Sequence, residues 1–142
     1  MFVIDSSVFL SYLFRDEKFH NDAKKFFQQI MDKKIKIFFP ISVVCEILHV
    51  AYRKSGNLKI RDRLYGEFIK NPMFKIINNE SSFLIYFSSH HHKFDIKSAD
   101  CVVAVHALRL NMPLVTLDQG LIKGAEKYIR TVTPMEAIKQ LQ

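Results

Sequence analysis

Short strand-like runs alternate along this chain with longer segments of helical period, and that alternation limits the folds open to it. The runs are Phe2-Val3-Ile4, Lys36 to Phe39, Phe74 to Ile77, Leu114-Val115-Thr116 and Tyr128 to Val132. Between them the spacing predicts helices. One runs from a Ser6 or Ser7 cap through Leu13. Phe19 to Ile30 places Ala23, Phe26, Phe27 and Ile30 on one face, with Lys24, Lys25, Gln28 and Gln29 outside. Ser42 to Tyr52 is apolar on nearly every side, so it is expected to be buried all round; Gly56-Asn57 breaks it, and Leu58 to Ile69 follows. Ser81 to Ser89 should turn Phe83, Leu84 and Phe87 inward. A helix from Ser98, a short one from Leu121 to Lys127 and a last one opening at Thr133-Pro134 complete the series. Strands joined through helices pair side by side in parallel. The expectation is therefore an α/β three-layer fold, with a short-stranded, mostly parallel central sheet flanked by helices. No repeat or linker interrupts the 142 residues, so residues 1–142 read as a single domain.

Composition removes several classes. With 13 Phe and no Trp, Phe and aliphatic side chains must fill the core. No stretch reaches the roughly 20 apolar residues that span a bilayer. The apolar N-terminus carries Asp5 within it and lacks leading basic residues, which suits a first strand better than a signal peptide. Cys45 and Cys101 lie in apolar helical patterns, so both are expected to be buried, reduced thiols of a cytoplasmic protein. Their spacing offers neither a disulfide framework nor a Cys-based metal site.

Four carboxylates stand among apolar residues where the other acids stand among polar ones. Asp5 follows the strand FVI, Glu46 interrupts VVCEILHVA, Asp100 precedes CVVAVHAL, and Asp118 follows LVTL. Burying an ionised carboxylate without a partner costs several kcal/mol, so each needs an account. Asp5 and Asp118 can cap helices, and Asp100 can favour a helix's first turn through the dipole. Glu46 lies mid-helix with no Lys or Arg at i±3 or i±4, where His49 is its one candidate partner. Together the four point elsewhere. Residues just past the carboxyl ends of parallel strands converge at one edge of the sheet, where strand order reverses. Acids gathered there repel one another, and a cation resolves the repulsion. An all-oxygen ligand set selects Mg²⁺ or Mn²⁺ over Zn²⁺, and such a centre suits phosphodiester hydrolysis. The charge balance agrees. The chain has 21 Lys and Arg against 14 Asp and Glu, a net +7, and setting four acids aside in one pocket leaves a strongly basic remainder. An acidic hole in a basic surface suits a polyanion held by its phosphates.

At these same segments the chain resembles the PIN-domain family, and within it the VapC-type toxins of prokaryotic toxin–antitoxin pairs. The matching pieces are FVIDSSVFL, SVVCEIL, KSADCVVAVHAL and LVTLDQGL, in family order and over nearly the whole chain. Each is short; the ordered set is what carries the likeness. The resemblance implies a PIN fold, a bound Mg²⁺ or Mn²⁺ and endonucleolytic cleavage of RNA. It implies that Asp5, Glu46, Asp100 and Asp118 hold the metal directly or through water. Ser6 or Ser7 and Thr116 match hydroxyl positions that orient the carboxylates. A VapC-type role further implies an antitoxin protein that blocks the site, and often a homodimer. The sequence is also compatible with a housekeeping RNA-processing nuclease, or a PIN-like module that binds RNA or protein without cutting.

For RNA contact, Arg53, Lys54, Arg61 and Arg63 form the densest basic stretch, and Arg15 follows the first helix. The alternative for that stretch is the solvated face of a helix. His90-His91-His92 ends a predicted helix, where consecutive side chains diverge and cannot chelate one ion. His106 reads as core or rim. Two other acid-lined α/β folds fit poorly. A phospho-acceptor receiver needs paired acids after an early strand, and a haloacid-dehalogenase-like phosphatase needs an Asp where Ser7 stands.

Overall fold

A computed structural model describes all 142 residues. Its five strands are β1 (Phe2–Ile4), β2 (Ile37–Pro40), β3 (Phe74–Ile77), β4 (Leu114–Val115) and β5 (Thr131–Val132). Eight helices accompany them: α1 (Ser6–Leu13), α2 (His20–Asp32), α3 (Ile41–Ser55), α4 (Leu58–Lys70), α5 (Ser81–His90), α6 (Ser98–Leu110), α7 (Gln119–Ala125) and α8 (Pro134–Lys139). A 3₁₀ turn over His91–Lys93 prolongs α5. No helix is long and apolar enough to cross a membrane.

The sheet order is β3-β2-β1-β4-β5, and every pairing is parallel. The expected layer fold is what forms, with the sheet wholly rather than mostly parallel. β1 is the central strand, and all three of its residues are buried. The chain leaves β1 toward β2 on one side and returns to β4 on the other, so strand order reverses there. A crevice beyond the carboxyl ends of β1 and β4 is the geometric consequence. Ladder bonds fix what hangs over it: the Asp5 N–H donates to Val115 O at 3.0 Å and the Thr116 N–H to Val132 O at 3.0 Å.

Phe9 anchors the aromatic core beneath the first helices. Its ring meets Tyr12, Phe27, Phe39, Phe68 and Phe74 at 5.0–6.1 Å between centroids, mostly edge to face. Such pairs contribute about 0.5–1.5 kcal/mol each beyond area burial, so α1, α2 and α4 are tied to β2 and β3 through one residue. α6 is buried on most sides, with Cys101, Val103, Ala104, Val105, His106 and Ala107 all inside. Asn111, at φ 50°, ends it in the left-handed conformation, and Pro113 leads into β4.

Three expectations fail locally. The residue capping α1 is Asp5, not Ser6 or Ser7. α3 is not enclosed: it buries the stripe Val43, Val44, Ile47 and Ala51, while Cys45, Glu46 and His49 face out, so Cys45 is an exposed thiol and only Cys101 is buried. In α5, Phe83 is the buried residue and Leu84 is 66% exposed, because the helix packs on α6 along a single narrow face.

Candidate active site

Asp5 is buried just past the carboxyl end of β1, and its surroundings explain how a charge survives there. Its Oδ2 accepts the Ser7 hydroxyl at 2.5 Å, the Thr116 hydroxyl at 2.9 Å and the Ser7 N–H at 3.4 Å. These donors stand in for lost water. All three bonds fall on one oxygen, and Oδ1 is not among the chain's buried unpartnered atoms, so it keeps access to the crevice. Ser7 Oγ also accepts the Leu117 N–H at 3.0 Å, and Thr116 Oγ1 accepts the Asp118 N–H at 3.1 Å. The two strand ends are thereby stitched into one unit. Of the two candidate serines, Ser7 is the one that meets Asp5. The signal was available, since the side chain of an N-cap reaches the residue two positions on.

Asp118 caps α7, its Oδ1 accepting the Leu121 N–H at 3.0 Å. A Cβ on Gly120 would sit 3.1 Å from that oxygen, so a small residue there leaves the carboxylate free of crowding. The capping account is thus correct for both Asp5 and Asp118, and it does not compete with a shared site. Each uses one oxygen on the cap and keeps a second.

Asp100 lies in the first turn of α6. Its carboxyl is pushed above the ordinary range, first by burial and then by the charges of Asp5, Asp118 and Glu46, with Lys97 opposing them. Those causes identify its neighbours: the other three acids singled out in the sequence each act on Asp100. Glu46 stands on the exposed flank of α3, so it bears none of the burial cost its apolar segment implied. It forms no ion pair with His49; the chain's ion pairs join Lys54 to Asp16 and Glu17, and Arg61 to Asp62. No three His, Cys, Asp or Glu side chains are closed tightly enough to hold one ion as they stand. The donor set still fits a hard divalent cation. It consists of carboxylate oxygens with one oxygen of Asp5 left open, backed by hydroxyls that fix the carboxylate's rotation.

The basic residues are dispersed. Lys54 Nζ bonds Glu17 at 2.7 Å and lies 4.4 Å from the Phe14 ring centre, which bridges α3 to the α1–α2 connection. Arg61 donates to its neighbour Asp62 at 2.6 Å. Arg15 and Arg63 meet in one surface groove with His20 and Lys24, and Arg53 is exposed. His106 belongs to the core. It is 1% exposed, stacks on Phe83 at 3.7 Å, and places Nε2 2.8 Å from Asn79 Oδ1. Burial, helped by the Arg109 charge, lowers its pKa to about 4. His90 and His91 stack separately on Tyr86 and Phe87, so the three-histidine run forms no chelate.

Comparison with known proteins agrees with the fold. The family model described as PIN domain matches residues 2–127. No curated protein matches the chain. Among solved structures, FitAcB from Neisseria gonorrhoeae is similar with a TM-score of 0.69 at 16% identity, covering 94% of this chain and 98% of that one. VapC20 from Mycobacterium tuberculosis, described as a sarcin-ricin loop cleaving toxin, gives 0.69 at 10% identity, covering 87% and 94%. VapBC2 from Rickettsia felis, bound to a DNA fragment from its promoter, gives 0.69 at 14% identity, covering 93% and 97%. At these identities the likeness speaks to the fold.

Proposed function

The chain belongs to the PIN-domain family, and from that premise we propose that it is a divalent-metal-dependent endoribonuclease, the toxin of a toxin–antitoxin pair. The observation that carries the reading is the position of Asp100, whose carboxyl is raised by burial and by Asp5, Asp118 and Glu46 together. An acid disfavoured by burial and by three like charges needs a reason to stand among them, and a cation would provide it.

Asp5, Glu46, Asp100 and Asp118 would hold Mg²⁺ or Mn²⁺. When bound, such an ion activates a water for in-line attack on phosphorus and offsets charge on the phosphoryl oxygens. The protein's own contribution is positional. Thr116 and Ser7 hold Asp5 through Oδ2 alone, which would leave Oδ1 for the ion. Asp118 is fixed by its cap on α7, and Glu46 stands on the exposed flank of α3. With the acids neutralised, the basic remainder of the surface holds the rest of the strand through phosphate contacts, which salt weakens.

The toxin role rests on the fold shared with FitAcB and the VapBC assemblies. It brings an antitoxin partner with it: co-expression with the product of an adjoining small gene should suppress cleavage. The test of the enzyme is incubation with a mixed single-stranded RNA pool and a matched DNA pool, with Mn²⁺, with Mg²⁺ and with EDTA. Cleavage of RNA that needs metal and disappears in Asp5→Asn supports the reading. A folded, partner-free protein that binds RNA and never cuts it would leave the non-catalytic module instead.

A further inference from the structure

One aromatic side chain stands out on the α6–α7 side of the molecule. Tyr128, just past α7, is 41% exposed although its ring is held in place. Buried Phe94 meets it nearly edge-on, at 5.7 Å and 78°. Lys93 Nζ lies 6.0 Å from the ring centre and Lys127 Nζ 5.6 Å from it. The segment that carries Phe94 is clamped to α7: a Cβ on Gly124 would collide with Ile96 Cγ2 and stand 3.4 Å from Asp95 O. Tyr128, Lys93 and Lys127 are therefore packed together against the stretch that enters α6. Four residues beyond Lys93 comes Lys97, whose charge reaches the Asp100 carboxyl. Lys123 lies one turn before Lys127. None of these four lysines forms an ion pair, whereas Lys54 and Arg61 of the basic stretch near α3 and α4 do. The acids on the same segments, Asp95 and Glu126, are exposed and also unpaired.

We propose that this surface is the path by which single-stranded RNA leaves the acidic crevice, with one base stacked on Tyr128 and its flanking phosphates on Lys93 and Lys127. The proposal rests on the ribonuclease reading and names a part of its substrate site. An exposed ring braced from behind gives a base a rigid platform, and stacking tolerates any sequence because every base has a π-face. Lysines already at the ring's rim are placed for the phosphates on either side. Lys97 continues the positive path to the acids.

The test is binding of a short, 5′-fluorescein-labelled single-stranded RNA in EDTA, followed by anisotropy across a range of NaCl concentrations. Tyr128→Ala should weaken binding about tenfold, within the span expected for losing one base stack, and Tyr128→Phe should restore it. Lys93→Gln with Lys127→Gln should lower the slope of log affinity against log salt by about 1.4, two phosphates at roughly 0.7 each. A Tyr128→Ala affinity and a double-mutant slope both equal to wild type would overturn the path. If the wild type still cuts RNA with Mn²⁺ in that case, only the path falls. A wild type that neither binds nor cuts RNA removes the path and the ribonuclease reading together.

Discussion

Acidification should destabilise this protein through His106, and the size of the effect follows from its surroundings. The ring is stacked on Phe83 and its Nε2 is 2.8 Å from Asn79 Oδ1, so the neutral form, donating from Nε2, is what the core accommodates. Its pKa falls from 6.5 to about 4, chiefly through burial. The unfolded chain therefore binds this proton at a pH where the folded one does not. Stability is intact above pH 6.5, declines as pH falls below it, and stops declining below the folded value of about 4. Between pH 7 and pH 5 the loss from this one site is about 2 kcal/mol, approaching about 3 kcal/mol at lower pH. For a chain of 142 residues that is roughly 6 °C in melting temperature at pH 5. The assay is urea unfolding at both pH values for the wild type and for His106→Leu, a replacement that fills the site without titrating. Asn79 is exposed and can return to water in the variant. The wild type should lose about 2 kcal/mol more than the variant over that interval. Parallel stability–pH curves, or an imidazole resonance of His106 titrating near its ordinary value, would refute the reasoning.

Three other perturbations probe the framework and the site. Thr116→Val removes one of the bonds to Asp5 Oδ2 and the acceptor of the Asp118 N–H; we expect a loss of about 1–2 kcal/mol by chemical denaturation and a larger fall in kcat than in KM. Gly124→Ala forces a Cβ onto Ile96, which should cost about 1–3 kcal/mol in calorimetry and loosen the segment entering α6. Mn²⁺ at a hundredfold excess over its dissociation constant should stabilise the wild type by about 2.7 kcal/mol in thermal unfolding, and Asp100→Asn should lose that gain while being the more stable protein in EDTA.

The parts of the fold that could be read from sequence are those where a single local rule decides. β3 forms over Phe74 to Ile77 as its composition implies, and Gly56, at φ 63°, ends α3 where the chain breaks. The last strand is shorter than its apolar run, because Tyr128 N–H bonds back to Ala125 O and spends the first residues closing α7. The misplaced exposures in α3 have one origin. VVCEILHVA has apolar residues all round, so its pattern does not reveal which flank borders a crevice, and the sheet's topology decides that for Cys45 and Glu46. The acids were legible for a related reason. An acid placed directly after a strand or at a helix start sits at the sheet's carboxyl edge in a parallel α/β fold, so the sequence alone places Asp5, Asp100 and Asp118 there. The choice of Ser7 over Ser6 follows once Asp5 is recognised as the N-cap, and the part played by Lys97 depends on how α6 lies against the other acids.

The central claim is that four carboxylates from separate elements act as one metal site. Isothermal titration of Mn²⁺ into the wild type and into Asp5→Asn, Glu46→Gln, Asp100→Asn and Asp118→Asn tests it most directly. The account predicts saturable binding by the wild type that weakens in every one of the four variants, each still folded. A wild type that takes up no Mn²⁺, or binding indifferent to all four substitutions, would contradict it.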